Sequence, residues 1–469
     1  MLRKLLSDAA IYGLAAQLPR LAGVITLPLL TQYLTSADYG VAGVVIAYNS
    51  ALGMLQSLGL VVVLGNLFSK FPLRYKWAWR QINGFLSVWS FFYGIVMGAI
   101  IYWIVPPEAD AYRLQIAVLH ALPIMLFAST EIQAMHYHLL SQRPLPIGIR
   151  AFVIGCVGVS MNVYTIAYLQ LGFMGWFYAN FLGALAGFLI NAYHIYLKQG
   201  FWPIFNFKWH RIKSSLKMSL PVIPHNFSSF LMDTSDRLVL DMLQVPIPKI
   251  GLYNVASSLG SHFLMATHAI VQASSPYYMR YFGKEASQES ALQARRLTFI
   301  LQAFFLVITF VCCLWVKEIF VVLIRNKELQ QAYPLAIVIL MAYNYRPMYM
   351  AVTSLLVYRD QASKLWKISA VGGLGNVVLN FIFIPLFGYK AAAFTTFVAL
   401  MYMGFGGYFL PDYKKVKQVD YYPLYWMGLT VATFALAYNL VELALAYKAF
   451  ITVMVLGVAA IAAFQLRNS

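Results

Sequence analysis

The sequence predicts an all-α polytopic membrane protein with about 14 transmembrane helices, and composition and hydropathy are the observations that predict it. Of its 469 residues, 61% are hydrophobic and only 11% are charged. A soluble protein carries about 25% charged residues, so the chain falls in the membrane class. Its apolar runs are about 20 residues or longer, which is typical of spanning helices and unlike the alternating segments of about 10 residues in a membrane β-barrel.

Fourteen apolar segments are predicted to cross the membrane. A cleavable signal peptide is not expected, because the first apolar run is about 27 residues long and no small-residue cleavage site closes it. In chain order the predicted spans are 8–34, 40–68, 81–105, 112–140, 149–170, 174–197, 217–243, 249–279, 297–324, 329–358, 366–386, 390–410, 422–441 and 446–466.

Lysine and arginine positions predict the orientation of these spans. With the N-terminus on the cytoplasmic side, 24 of the 34 basic residues fall on the two tails and the even-numbered connections, and 7 fall on the odd-numbered ones. The positive-inside rule therefore predicts that both termini are cytoplasmic. The net charge of +18 is then an orientation signal and a contact for anionic lipid, and no nucleic-acid partner is expected.

The two halves of the chain resemble each other in the order of their segments, as in spans 1–2 and spans 7–8. A unit of six spans crosses the membrane an even number of times, so two copies are parallel repeats about an axis along the membrane normal. The predicted domains are six-helix bundles at 1–198 and 217–411, a cytoplasmic linker at 199–216, and two further helices within 412–469.

Prolines interrupt the first span of each half, at Pro19 and Pro28 and at Pro221 and Pro224. Interrupted helices at matching positions mark the central site of many transporters. Packing kinks at proline are also common in membrane helices, so both interpretations stay open.

Of the 34 basic residues, three lie inside predicted spans rather than in tails or connections. They are Arg20, Arg237 and Arg346. An arginine at the centre of a spanning helix costs about 2.5–3.5 kcal/mol on insertion scales, so each needs a compensating partner. Arg237 has Asp233 and Asp241 four residues away on either side, which indicates either a self-neutralised cluster or a gate.

Arg20 and Arg346 have no acid within four residues. Their partners must come from another helix, from water or from cargo, and a planar guanidinium suits the oxygens of a phosphate. A structural tie to backbone carbonyls is the alternative for each. Tyr343 and Tyr345, beside Arg346, are candidates for stacking on sugar rings or for packing, and His225 is a further candidate for the binding site.

Intramembrane carboxylates are the candidates for ion coupling or gating, and they are Glu131, Asp233 and Asp236. No nucleotide-binding loop of the GxxxxGK[ST] type is present, so ion-coupled antiport is the expected source of energy. The histidines form no HExxH or comparable spacing, and the three cysteines lie in apolar runs, so no metal and no cofactor are expected.

Three segments carry a resemblance to a known family: "LPLLTQYLTSADYGV", "SLPVIPHNFSSFLMDTSDRLVLDMLQ" followed by "IGLYNVASSLG", and "LNFIFIPLFGYKAAAFTT". They resemble the recurring segments of the polysaccharide transporter family, the O-antigen and capsule repeat-unit flippases. That family belongs to the multidrug/oligosaccharidyl-lipid/polysaccharide exporter superfamily. The resemblance is distributed over spans 1–2, 7–8 and 11–12 and specifies a family better than a substrate.

The resemblance implies two six-helix bundles around a central cavity that opens to one side of the membrane at a time. It implies a cargo of oligosaccharide linked through pyrophosphate to a polyprenyl lipid, exported across a bacterial inner membrane for surface polysaccharide biosynthesis. Polysaccharide polymerase and glycosyltransferases are the implied partners, and a monomer is expected.

Two other transport functions stay open. A flippase for a lipid-linked peptidoglycan precursor handles the same diphosphate-lipid head, and an ion-coupled multidrug exporter shares the architecture. The unpaired intramembrane charges are mostly cationic, which favours anionic cargo over organic cations. An enzyme is not expected, because the longest connection is some 19 residues and no loop carries a paired acidic motif.

Overall fold

The computed structural model describes residues 22–141, 144–283 and 287–468, apart from a minority of side chains within them. Throughout these residues the chain forms helices and no strand, as the sequence predicts. Nine helices of the described part are long and apolar enough to cross a membrane. The chain is therefore a multi-pass membrane protein, and the larger number of 14 spans stays a prediction.

Contacts divide the chain into two compact units. Unit 1 comprises residues 1–230 and 323–326, and unit 2 comprises residues 231–322 and 327–469. Boundaries fall inside the helices Ile223–Asp233 and Val316–Leu323, and the segment 199–216 belongs to unit 1.

Unit 1 is built from eight helices and the first part of a ninth. They are α1 (22–30), α2 (Ser36–Gln56), α3 (Val61–Lys70), α4 (Tyr75–Ile104), α5 (Pro107–Leu140), α6 (Pro144–Asn162), α7 (Phe173–Lys198), α8 (Trp209–Ser219) and α9 (Ile223–Asp233).

Unit 2 is built from ten further helices. They are α10 (Ser235–Met242), α11 (Ile247–Gly283), α12 (Gln288–Leu314), α13 (Val316–Leu323), α14 (Tyr333–Tyr358), α15 (Trp366–Phe387), α16 (Ala391–Phe409), α17 (Pro411–Val416), α18 (Pro423–Leu440) and α19 (Leu445–Asn468).

The start of α2 is determined locally. Thr35 and Asp38 form a capping box, in which each side chain receives the backbone N–H of the other. The second oxygen of Asp38 accepts the N–H of Phe173 at 2.9 Å. Gly172 has φ +55°, and a Cβ there would lie 2.7 Å from that oxygen, so the turn before α7 requires glycine. One carboxylate thus joins the ends of two helices.

Aromatic side chains form a core in unit 1 where α3 packs against the start of α4. The indole of Trp79 is fully buried and donates to the carbonyl of Leu64 at 3.0 Å. Phe201 and Ile212 are buried in the same cluster, so the segment that follows α7 belongs to this core. The predicted linker therefore packs against unit 1 along part of its length.

Helix α14 lies at the centre of unit 2, and 83% of its apolar stretch is buried. It packs against α11, α12 and α16. A 3-10 turn at Tyr343–Tyr345 interrupts it halfway. A fully buried helix needs no polar face, so its polar residues at this turn indicate a special role.

The predicted spans from the second onward coincide with helices or with helices in series. The seventh predicted span, 217–243, is the most interrupted. It contains the end of α8, a 3-10 turn at Leu220–Val222, α9 and α10. Pro221 lies in that turn, and Pro224 occupies the second position of α9, where proline costs little.

Candidate functional site

A break in the chain positions the most polar buried site of unit 2. Thr234, between α9 and α10, has φ −137° and ψ −19°, which are not helical values. Helix α10 therefore starts afresh at Ser235 and places Asp236 in its first turn. The unpaired N–H groups of a helix start favour a negative charge there.

Four donors from three other helices surround the carboxylate of Asp236. The side-chain amides of Asn376 and Asn380, on α15, donate to Oδ1 at 2.9 and 2.7 Å. The hydroxyl of Thr396, on α16, donates to Oδ2 at 2.8 Å. The phenol of Tyr253, on α11, donates to the same oxygen. We call these five residues the Asp236 network.

The Asp236 network is almost completely removed from solvent. Asp236 is 3% exposed, and Asn376 and Asn380 are fully buried. Burying a carboxylate is costly unless hydrogen bonds replace its water, and each bond to a charged group returns about 1.5–3 kcal/mol. The neighbouring guanidinium of Arg237 adds a positive charge close to the carboxylate.

Hydrogen bonds outside the network hold its amides in place. Thr395 donates to the side-chain oxygen of Asn380 and also to the carbonyl of Ala392, at 2.9 Å. The amide of Asn376 lies 3.4 Å from the carbonyl of Leu231, on the other side of the helix break. The break and α15 are thus connected by one side chain.

The Asp236 network can hold a proton or a small hard cation. It concentrates a carboxylate, two amide oxygens and two hydroxyls, and oxygen is the ligand that such cations prefer. Rotating an asparagine amide by 180° exchanges its nitrogen for its oxygen, which converts donors into cation ligands. No group of three or more His, Cys, Asp or Glu side chains that could hold a metal occurs in the described part of the chain.

Arg346 lies at the interruption of α14. The turn is held by Gln302 on α12, whose amide donates to the carbonyl of Asn344 at 2.9 Å. Arg346 is half-buried, and its guanidinium stacks over the ring of Tyr345 at 5.3 Å. Its buried Nε has no hydrogen-bond partner among the described residues. Packing against Tyr345 therefore helps to position the cation, and its Nε–H group is left without an acceptor among the described residues.

The remaining predicted arginines and their neighbours are placed only in part. Arg237 is half-buried, and its buried Nε likewise has no partner among the described atoms. Arg20 lies outside the described residues. The side chains of His225 and Asp233 also lie outside the described part, although both residues belong to α9. Tyr343 and Tyr345 are buried, at 9% and 5% exposure.

Glu131 lines a separate cavity of about 740 Å³ within unit 1. Asn191, on α7, hydrogen-bonds to its carboxylate. A Cβ at Gly187 would lie 3.0 Å from Glu131 Oε1, so the glycine lets the acid approach α7 closely. His136, His138 and Arg150 line the same cavity, and Arg150 contacts His138. The structure thus places Glu131 and Asp236 in two different units.

The partners of Asp236 were not identified from the sequence. Three of them, Tyr253, Asn380 and Thr396, lie within the segments "IGLYNVASSLG" and "LNFIFIPLFGYKAAAFTT". Asn376 precedes Asn380 by four residues, which puts both on one face of α15. These two amides on one face of an apolar helix were the sequence signal that could have indicated the buried polar site.

Comparison with known proteins shows a similarity in fold to solved structures and no match in sequence to a family model or a curated protein. No family model matches the chain, and no curated protein does. Among solved structures, the lipid II flippase MurJ in an inward closed conformation is similar with a TM-score of 0.67 and 11% identity, over 92% of this chain and 97% of that one.

Two other transporters are similar over most of both chains. A transporter of the MOP superfamily from Pyrococcus furiosus has a TM-score of 0.55 and 14% identity, over 91% of this chain and 94% of that one. A variant of the Vibrio cholerae MATE transporter VcmN has a TM-score of 0.52 and 14% identity, over 87% and 94%. The chain therefore shares its fold with transporters of this superfamily.

Proposed function

We propose that this chain is a flippase that moves polyprenyl-pyrophosphate-linked oligosaccharide repeat units across a bacterial inner membrane by alternating access. Its partners in surface polysaccharide biosynthesis would be the polymerase and the glycosyltransferases that use the same lipid-linked units. The observation that carries the proposal is Arg346, a half-buried cation in the middle of a buried helix, whose Nε has no hydrogen-bond partner among the described residues. A permanent cation at that depth suits an anionic head group and repels organic cations.

Arg346 is prepared for a diphosphate by its surroundings. The guanidinium lies over the ring of Tyr345, 5.3 Å from its centroid, and this contact restrains a group whose donors suit phosphate oxygens. Gln302 and Asn344 fix the turn from which the side chain emerges, so that its position does not depend on cargo. In this proposal Arg20 and Arg237 contribute further positive charge, and Tyr343, Tyr345 and His225 lie near the head group.

The Asp236 network is proposed as the coupling site. A buried carboxylate that exchanges a proton or a cation changes the charge of unit 2 by one, and the cost of an unpaired buried charge links that exchange to a conformational change. Glu131 and Asp233 are the other proposed coupling or gating residues. Neutralising Asp236 and Glu131 separately distinguishes their contributions.

A lipid-linked peptidoglycan precursor is the second candidate cargo. The similarity in fold to the lipid II flippase MurJ, at a TM-score of 0.67, favours it over a multidrug substrate. Both lipid cargoes present the same diphosphate, so Arg346 does not choose between them.

Transport of three cargoes by the full chain in proteoliposomes tests the proposal. The cargoes are a fluorescent polyprenyl-pyrophosphate oligosaccharide, fluorescent lipid II and a fluorescent organic cation. Access of an impermeant quencher to the fluorophore reports movement between leaflets. We expect the oligosaccharide to move fastest. Faster movement of lipid II would assign the second function, and transport of the organic cation alone would overturn both.

A further inference from the structure

A groove at one end of unit 1 is lined by basic and hydroxyl side chains. It has a volume of about 510 Å³ and lies between the end of α3, the start of α4 and the helix α8. Its polar lining residues are Asn66, Lys70, Gln81, His210, Arg211, Ser214 and Ser215. No carboxylate occurs among the described residues that line it. We call this cavity the basic groove.

Positive charge around the basic groove is uncompensated along the sequence. Residues 39–107 and 132–232 contain no Asp or Glu, whereas 70–80 and 198–217 contain nine Lys or Arg. In unit 2, by contrast, the acids of the segment 411–420 pair with lysines, as in Lys367–Asp412 at 2.9 Å and Lys417–Asp420 at 2.5 Å. Lys70 and Arg211 form no ion pair with a described carboxylate, so unit 1 presents an unsatisfied field for anions.

The rim of the basic groove is apolar and aromatic. Phe71 is 55% exposed, Trp77 is 40% exposed and Met218 is 53% exposed. The guanidinium of Arg211 stacks on Trp77 at 4.8 Å. Aromatic rings beside basic side chains are typical of the level of lipid head groups, where one side of the protein meets hydrocarbon. The positive-inside rule assigns this end of unit 1 to the cytoplasmic leaflet.

Specific contacts hold α8 against the bundle, so the groove is a built feature. Ile212 is 1% exposed and packs in the core around Trp79. The hydroxyl of Ser219 donates to the carbonyl of Leu58 at 2.7 Å. The guanidinium of Arg80 donates to the carbonyl of Trp202 at 2.8 Å, which ties the segment before α8 to α4.

We propose that the basic groove binds the phosphate head group of an anionic phospholipid of the cytoplasmic leaflet. Lys70 and Arg211 supply the charge, Ser214 and Ser215 supply hydroxyl donors, and the acyl chains follow the apolar rim past Met218. This site shares no residue with the proposed transport site, and its proposal does not depend on the cargo. Bound lipid would hold α8, whose last residues begin the interrupted span, in its packed position.

Retention of radiolabelled phosphatidylglycerol by the full chain tests the proposal. The chain is titrated in phosphatidylcholine nanodiscs that contain increasing phosphatidylglycerol. In the variant Lys70→Gln with Arg211→Gln we expect the apparent affinity for phosphatidylglycerol to fall about 30-fold, as two surface cations imply. Arg211→Lys keeps the charge and loses the stacking, so it should retain most of the affinity.

A double change in unit 2 supplies the control. Lys414→Gln with Lys415→Gln removes the same charge from a connection that contains acids, and it should change the affinity less than about twofold. Equal losses in both double variants would overturn the site, as would an unchanged affinity in the first. Displacement of the lipid by millimolar inorganic phosphate would assign a free anion instead and also overturn the proposal. Matching thermal unfolding in detergent establishes that the variants are folded.

Discussion

The side-chain amide of Asn380 donates to the carboxylate of Asp236 at 2.7 Å, across 144 positions of sequence. Both residues are buried, and Asn376 approaches the same oxygen from one turn earlier on α15. These hydrogen bonds join α10, which follows the break at Thr234, to α15, which donates two side-chain amides to it. It makes Asp236 the best-supported candidate for coupling, and it leads to the first prediction.

Asp236→Asn should abolish uphill transport and leave the chain folded. The change keeps the shape of the side chain and removes the charge that a proton or cation would neutralise. Loss of charge-assisted hydrogen bonds should lower the stability by about 1–3 kcal/mol. Accumulation of cargo in proteoliposomes, with imposed proton or sodium gradients, measures the effect.

Asp241→Asn makes the same chemical change five residues later in α10 and serves as the control. It should preserve gradient-driven accumulation. If Asp236→Asn still accumulates cargo under a gradient, or if collapsing both gradients leaves the parent chain unaffected, Asp236 is not the coupling group.

Arg346→Ala should abolish export per folded molecule, and Arg346→Lys should restore only part of it. Lysine keeps the charge and lacks the planar fork that binds two phosphate oxygens. Arg359 provides a matched comparison, because it also stacks on the preceding tyrosine, at 5.8 Å, and also has a buried Nε without a partner among the described residues. It lies at the end of α14 rather than in its middle.

Arg359→Ala should therefore transport normally. Export is normalised to the folded fraction, measured by gel filtration of a fluorescent fusion. A structural role for Arg346 would instead give poorly inserted protein with normal export per molecule.

Lys448 and Glu318 should prove strongly coupled in stability. Lys448, on α19, is fully buried, and its ammonium lies 2.7 Å from Glu318 on α13. Lys448→Met leaves the Glu318 carboxylate, which is 30% exposed, without its partner. We therefore expect the free energy of unfolding to fall by about 1–3 kcal/mol, which is less than for a pair that is buried on both sides. Glu318→Gln alone leaves the buried ammonium unpaired and should cost more.

The double variant Lys448→Met with Glu318→Gln should recover most of the stability, because both charges are then gone. Thermal unfolding in detergent of the parent chain, the two single variants and the double variant measures the coupling energy. Additive losses would contradict the coupling.

Acid should weaken the contact of Glu442 with Lys317 and Tyr333. The hydrogen bond from Lys317 first, and that from Tyr333 second, hold the pKa of Glu442 below its usual value near 4.5. A depressed pKa stabilises the folded state above the unfolded pKa, and this contribution disappears as the pH falls through the folded pKa. The stability difference between the parent chain and Glu442→Gln should therefore be present at neutral pH and vanish below that value.

The side chains of Lys317 and Glu442 are both exposed, so the expected difference in stability is small, and the informative result is its pH dependence. Thermal unfolding from pH 7 to pH 3 measures it. A difference that persists unchanged into acid would mean that the ion pair does not produce it.

Single cysteines should report the predicted topology, on a background that lacks Cys156, Cys312 and Cys313. Cysteines at Asp110 and Glu328 should react with an impermeant maleimide in intact cells. Cysteines at Lys213 and Lys415 should react only after lysis. The reverse pattern would contradict the charge-based orientation, because the positive-inside rule depends only on which side holds the basic loops.

The class of the protein was determined by the sequence itself. In a membrane every backbone polar group must be paired internally, so long apolar runs with few charges can only be helices. Hydropathy therefore predicted the all-α fold, and the local signals at Thr35 and Asp38 specified a helix start without any tertiary information. Charge distribution likewise predicted an orientation, because insertion responds to short basic loops.

Only the tertiary structure shows what surrounds Asp236 and Glu131. The sequence does not rank Glu131, Asp233 and Asp236, since each is a carboxylate inside a predicted apolar span. Asp236 differs from Glu131 in being buried and in receiving four donors from residues between 17 and 160 positions away. Such a network depends on how α10, α11, α15 and α16 pack, and no short-range pattern encodes that packing. The helix break at Thr234 belongs to the same category, because it coincides with no proline and is held by side chains of another helix.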